Sequence, residues 1–213
     1  MIKFAALIAG AYLLGSVPFG LIIAAAHKID LRRIGSGNIG ATNLARALGR
    51  KWGYVCFALD AGKGLVPMLV AAALRSPNAG AGELALSLAV GCAAILGHIF
   101  PVYLRFKGGK GVATSFGVAL GLWPYYTVCS LVSLAVWVIV LLLWRYVSLA
   151  SMVSSLAFPV SLLVAIRMVP QWRFATLWPL LVVAAALPFL MVLRHRENIR
   201  RLLAGTESKV FGG

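Results

Sequence analysis

At 213 residues the chain could hold one or two domains, yet 62% of its residues are hydrophobic and its mean hydropathy is +0.95. Charged residues make up 12%, against roughly 25% in a soluble globule, which excludes a conventional soluble enzyme; the hydrophobicity also excludes a disordered chain. The charge is lopsided, 20 Lys and Arg against five Asp and Glu, but the chain lacks the polar surface that would display a basic face to nucleic acid. Cytoplasmic loops of a membrane protein and binding of anionic substrates are the better readings.

A bilayer core of roughly 30 Å takes about 20 apolar residues per helix. The first such run is Phe4–Ala26. Its Ala24-Ala25-Ala26 end resembles a signal-peptide cleavage site, but the run exceeds the roughly 7–15 residues of a signal core and further spans follow. Trp52–Leu74 and Leu84–Leu104 come next. Val112–Leu122 is too short to cross unaided unless Pro124 only kinks a longer helix, although Gly117 and Gly121 would allow close helix approach. Thr127–Leu143, Leu149–Ile166 and Phe174–Leu193 complete the set. Cys56, Cys92 and Cys129 lie inside apolar runs with no CxxC or His partner, which argues against disulfides and against a metal site.

Loop charge decides whether the short segment crosses. If it does, 15 basic residues fall on one face and four (Lys3, Arg75, Arg167 and Arg173) on the other, with Lys63 inside a span. The positive-inside rule then predicts an all-α integral membrane protein, a polytopic bundle of about seven transmembrane helices in a single domain over 1–213. Its N-terminus would lie outside and its C-terminus in the cytoplasm.

Three segments on the basic face carry more polar chemistry than a loop needs. The first, Gly35-Ser36-Gly37-Asn38-Ile39-Gly40-Ala41-Thr42-Asn43 followed by Arg46, has glycines that can turn N–H groups inward as a nest for phosphate, with a helix starting near Thr42 or Asn43. A tight interhelical turn is the bland alternative. The second, Lys107-Gly108-Gly109-Lys110-Gly111-Val112-Ala113-Thr114-Ser115, lacks the Walker A spacing but has its parts, and a solvated basic turn is its alternative. Gly40-Ala41-Thr42 and Val112-Ala113-Thr114 echo each other, which suggests two phosphates. The third, Arg194-His195-Arg196-Glu197-Asn198 with Gly205-Thr206-Glu207, puts His195 and Asn198 on one helical face, or else is a basic stop for anionic lipid. Within the spans, Asp60 and Lys63 read as an i,i+3 ion pair and His98 as a hydrogen-bonded bundle histidine; His27 reads as interfacial.

Together with Gly97-His98-Ile99-Phe100-Pro101 and Asp60-Ala61-Gly62-Lys63-Gly64, these motifs resemble, in order and spacing over the whole chain, the acylphosphate-dependent glycerol-3-phosphate acyltransferases of bacteria, the PlsY type. The resemblance implies transfer of a fatty acyl group from acyl phosphate to the 1-hydroxyl of glycerol 3-phosphate. Lysophosphatidic acid and inorganic phosphate would be the products, at the cytoplasmic face of the inner membrane among membrane lipids and with no cofactor. It implies Ser36, Arg46, Lys107 or Lys110, His195 and Asn198 on the glycerol 3-phosphate side. Thr42, the Gly108–Gly111 backbone and either Ser148 or Ser151 fall on the acylphosphate side. Gly37, Asn38, Gly40, Asn43, Thr114 and Glu197 complete the expected substrate-binding set. The proton acceptor stays open between the substrate's own phosphate and His195. A small transporter for a phosphate-bearing solute is the rival reading, since intramembrane charges and glycine-rich loops occur there too; a lipid-binding scaffold without turnover is a third.

Overall fold

The computed structural model describes residues 2–210. Among them are ten α-helices: α1 (Ile2–Gly15), α2 (Phe19–Ala26), α3 (Ala41–Leu48), α4 (Arg50–Ala73), α5 (Ala81–Ile99), α6 (Val112–Gly121), α7 (Tyr125–Trp144), α8 (Val147–Met168), α9 (Phe174–Arg194) and α10 (Arg196–Leu203). Six segments are long and apolar enough to cross a bilayer, Ile2–Ala26, Arg50–Ala73, Ala81–Leu104, Tyr125–Trp144, Val147–Met168 and Phe174–Arg194. Each lies within a few residues of an expected run. The seventh expected segment forms α6 at its predicted place, but its 10 residues span only about 15 Å. Pro124 does not kink a longer helix there, because α6 stops at Gly121 before α7 begins at Tyr125.

The chain divides into two compact units. One runs to Ser76 and resumes over Leu86–Leu122; the other takes Pro77–Ala85 and the chain from Trp123 onward.

The first unit is built around α4. The expected single first helix is instead broken at Ser16-Val17-Pro18, where Pro18 has no N–H to continue the ladder. The exposed Val17 carbonyl accepts a hydrogen bond from Lys63 Nζ at 2.8 Å. Helix α6 lies so close to α4 that a Cβ on Gly117 would overlap the Ala61 carbonyl and one on Gly64 the Thr114 carbonyl. Small residues are what permit such a backbone approach. Ala61 faces Gly117 and Met68 faces Gly121, so α6 runs in the same sense as α4 and starts level with its middle. Helix α5 runs the opposite way, with Gly91 at Met68 and His98 at Asp60.

The second unit pairs α7 with α8 and α8 with α9, and α10 follows α9. Tyr126 meets Phe158 edge-on at 4.9 Å, and its hydroxyl donates to the Leu180 carbonyl, so a ring and a backbone group are satisfied in one place. Arg145, with φ +65°, ends α7 in the left-handed conformation that stops a helix. Leu131, Ile139, Leu142 and Val160 on the outer faces are exposed, as expected of helices whose solvent is lipid.

Candidate active site

The first glycine-rich loop folds around Asn43. This buried side chain donates from Nδ2 toward the carbonyls of Leu31, Ile34 and Asn38 at 3.2, 3.0 and 2.9 Å. Its Oδ1 accepts from the Ser36 N–H at 3.0 Å. Gly35 and Gly37 take φ values of +58° and +67°, which L side chains rarely adopt, and the Gly37 N–H turns back to the Ile34 carbonyl at 3.0 Å. The Asn38 N–H reaches Ser36 Oγ at 3.5 Å, while Asn38 Oδ1 caps the Gly40 N–H at 2.9 Å.

These bonds correct the expected phosphate nest. The N–H groups of Ser36, Gly37, Asn38 and Gly40 are spent inside the loop, and Asn38 and Asn43 are its internal pegs. What faces outward is the Ser36 hydroxyl with Thr42 and Arg46, all exposed. Thr42 and Arg46 are i,i+4 on α3, Thr42 in its first turn, where N–H groups lack intrahelical acceptors, and Arg46 in its last. The helix starts at Ala41, one residue ahead of the expected start.

The second loop leaves α5 through a single 3-10 turn, Val102–Leu104. Arg105 and Phe106 follow with φ +50° and +62°, an uncommon conformation for two residues with side chains. The chain then returns along the end of α5: the Gly108 N–H donates to the Ile99 carbonyl at 3.2 Å and the Gly109 N–H to the His98 carbonyl at 3.1 Å. A Cβ on Gly108 would overlap that carbonyl, and one on Gly109 would overlap the His98 ring. These two glycines therefore serve close packing, and their N–H groups do not form the expected phosphate cradle. The cradle narrows to Gly111 (φ +88°) and the first turn of α6. There the buried Thr114 and Ser115 hydroxyls find no hydrogen-bond partner among the described residues. An unpaired buried hydroxyl costs about 1–3 kcal/mol, so this turn is suited to receive an acceptor from a ligand. Lys107 is exposed and Lys110 half-buried. The Lys107 carbonyl accepts from Arg32 Nη2 at 3.4 Å, which ties the second loop to the segment leading into the first.

In the second unit the third segment converges on Glu207, which the motif contains but whose part as a hub its position in the tail does not reveal. Glu207 Oε1 accepts from Asn198 Nδ2 at 2.6 Å and from the Ser148 hydroxyl at 2.7 Å, while Oε2 accepts from Arg201 Nε at 2.7 Å. Burial works against the Glu207 charge. Hydrogen bonds from Ser148, Asn198 and Arg201 outweigh it and hold the carboxyl below the usual glutamate range. The stability this supplies is complete above glutamate's ordinary pKa and is lost as pH falls through the lower folded value.

His195 Nδ1 lies 2.8 Å from the Met191 carbonyl. A carbonyl can only accept, so Nδ1 carries a proton, and in the neutral ring Nε2 is then the acceptor nitrogen. Between the two candidate serines, Ser148 belongs to the Glu207 cluster, whereas Ser151 bonds back to the Val147 carbonyl and accepts from Trp137 Nε1. Glu197, expected among the binding residues, is exposed and, among the described residues, pairs with Arg196 and Arg200, at 3.6 and 3.4 Å. His27, expected at the interface, is exposed and packs edge-on against Trp52.

A profile of the glycerol-3-phosphate acyltransferase family matches residues 5–205. A glycerol-3-phosphate acyltransferase of Geotalea daltonii is 46% identical over 202 residues, 95% of either chain. Two crystal structures of PlsY, an integral membrane glycerol 3-phosphate acyltransferase, superpose on the chain. The glycerol 3-phosphate form gives a TM-score of 0.85 at 41% identity and the lysophosphatidic acid form 0.83 at 40%, each over 99% of this chain and 96% of the other. On these matches and the motifs that carry them, the chain belongs to the glycerol-3-phosphate acyltransferase family.

Proposed function

We propose that the chain moves a fatty acyl group from acyl phosphate to the 1-hydroxyl of glycerol 3-phosphate, releasing lysophosphatidic acid and inorganic phosphate. Family membership, matched over residues 5–205, sets the reaction class, and on our reading the two units work as one acyltransferase domain. The observation that favours a phosphate-bearing donor is the first turn of α6, with its two unpartnered buried hydroxyls beside Gly111 and Lys110. An acyl phosphate is a mixed anhydride whose phosphate leaves readily, so no covalent acyl-enzyme is required. Orientation and electrostatic stabilisation of the oxyanion supply the rate. Ser36, Arg46, Lys107 and Lys110 are the candidate groups in the first unit, with Thr42, Gly111 and Thr114 at the helix starts. His195, Asn198 and Ser148 are the candidates in the second. His195 Nε2, left as acceptor by the Met191 bond, suits the acceptor hydroxyl.

Purified protein given palmitoyl phosphate is expected to release phosphate only when glycerol 3-phosphate is present, and to give no product from acyl-CoA or acyl carrier protein alone. Turnover with either thioester would overturn the donor assignment. Phosphate-solute uptake into proteoliposomes without acyl transfer would favour the transporter reading.

We further propose seven crossings of the bacterial inner membrane, N-terminus out, C-terminus in, with the active site on the cytoplasmic side. The alternation of α4, α5 and α6 supports this, since α6 runs in the sense of α4 despite its length. On a cysteine-free background, Asn78→Cys is expected to react with an impermeant thiol reagent in intact cells and Ser208→Cys only after lysis. The reverse pattern would reject this topology.

A further inference from the structure

Three ionisable side chains of the first unit take no part in the proposed chemistry, yet all are buried. Asp60 Oδ1 lies 2.8 Å from Lys63 Nζ and 3.6 Å from His98 Nδ1, with side-chain exposures of 2–6%. Charges at membrane depth are expensive and are kept where they do work. An ion pair that only offset its own burial would need no third member. Here each member reaches a different part of the site's framework.

Lys63 bridges Asp60 to the Val17 carbonyl at the break between α1 and α2. Three residues on, Gly20 packs so tightly that a Cβ there would overlap the Ile39 carbonyl in the first loop, with Cys56 Sγ alongside. Cys56 in turn approaches Asp60 Oδ2 at 3.7 Å. On the other side the His98 ring fills the space that a Gly109 side chain would take, and the His98 carbonyl holds the Gly109 N–H at 3.1 Å. The ring is thus held between Asp60 on its Nδ1 edge and the second loop on its Nε2 edge. Asp60 is the hub through which both glycine-rich loops connect to one stretch of α4.

We infer that His98, set by the Asp60–Lys63 pair, is a positioning residue for the Gly109–Gly111 stretch, and hence for the acyl-phosphate subsite at the start of α6. It touches the loop backbone and not the substrate. This inference rests on the assignment of that turn to the donor phosphate. Shortening the ring would let Gly109 relax toward α5 and move the α6 start, and a shift of about an ångström can cost up to roughly a hundredfold in rate.

Two variants test it, with palmitoyl phosphate and glycerol 3-phosphate titrated separately. His98→Asn keeps a polar atom toward Asp60 but withdraws the ring edge from Gly109. The KM for palmitoyl phosphate is expected to rise about tenfold or more while that for glycerol 3-phosphate stays within about twofold. The charge-neutral pair Asp60→Asn with Lys63→Met removes the ionic hub without leaving a lone buried charge, so it remains assayable if His98→Asn does not fold. It is expected to raise the KM for palmitoyl phosphate by the same factor and that for glycerol 3-phosphate by less, because it also frees the Val17 carbonyl behind the first loop. Unchanged KM values in a folded variant, an equal rise for both substrates, or a loss of thermal stability alone would overturn the inference and reduce the cluster to a structural ion pair. If wild-type protein fails to turn over palmitoyl phosphate, the donor assignment fails first and takes the inference with it.

Discussion

Arg46→Lys is expected to lower kcat/KM at least about tenfold while the protein still extracts and runs as a folded species. The residue sits in the last turn of α3, whose Ala41 and Ala45 pack onto Gly53 of α4, leaving Arg46 exposed one turn beyond Thr42. The two alanines make that packing contact and Lys keeps the positive charge, so the fold is expected to tolerate the change. A phosphate depends on the guanidinium itself. The planar fork can offer two parallel N–H donors to two phosphate oxygens, whereas an ammonium is a point charge on a flexible stem. Hydrogen bonds to charged groups are worth about 1.5–3 kcal/mol each, and one such bond is about 10–150-fold in rate or affinity. Arg33→Lys is the control. Its guanidinium pairs with Asp30 at 3.1 Å on the exposed surface, where such pairs contribute little, and kinetics near wild type are expected. If Arg46→Lys behaves like Arg33→Lys in steady-state assays, Arg46 is a topogenic charge.

The spans were legible because a bilayer imposes one requirement on every crossing, a long apolar run, and runs are a property of sequence alone. Trp52–Leu74 and Phe174–Leu193 are recovered as α4 and α9 within two residues at each end. The break at Ser16–Pro18 was not legible, since Pro is tolerated inside other spans of this chain, at Pro67, Pro159, Pro179 and Pro188. What differs is a tertiary partner, Lys63, for the freed Val17 carbonyl. The same limit applies at the loops. Residue types and spacing pick out Asn38 and Asn43 as polar groups with capacity to spare, but an amide can face a ligand or its own loop, and only the path of the chain decides. Here both amides satisfy the loop backbone. The glycines at 108 and 109 are similar. Their presence signals close backbone approach, and what approaches is α5. Asp60 and Lys63 could be paired from their i,i+3 spacing, whereas His98 on another helix could not be joined to them before the crossing of α4 and α5 was known.

The third motif supplies the sharper test, because its bland reading as a basic tail for anionic lipid and its reading as part of the site predict opposite outcomes. Asn198→Ala is expected to raise the KM for glycerol 3-phosphate or lower kcat by about 5–150-fold, the equivalent of one hydrogen bond lost in a desolvated site, with little change in the KM for acyl phosphate. Asn198 is buried at the start of α10 and its Nδ2 is held by Glu207, which fixes the amide plane and therefore the direction in which Oδ1 can accept. A solvated tail residue would have no reason to be locked in this way. Glu207→Ala follows as a consequence. It frees Asn198, Ser148 and Arg201 at once, so it is expected to reproduce the Asn198→Ala kinetic defect and to destabilise the protein by about 1–3 kcal/mol per donor left unpaired and buried. Arg200→Ala separates the two readings: its guanidinium is exposed and pairs with the exposed Glu197 at 3.4 Å, so loss of a lipid anchor is expected to be mild. Steady-state titration of each substrate against the three variants decides the matter. Asn198→Ala and Arg200→Ala with equal, small effects would return the segment to the role of a membrane-surface tail, and the 2.6 Å bond to Glu207 would then serve the fold alone.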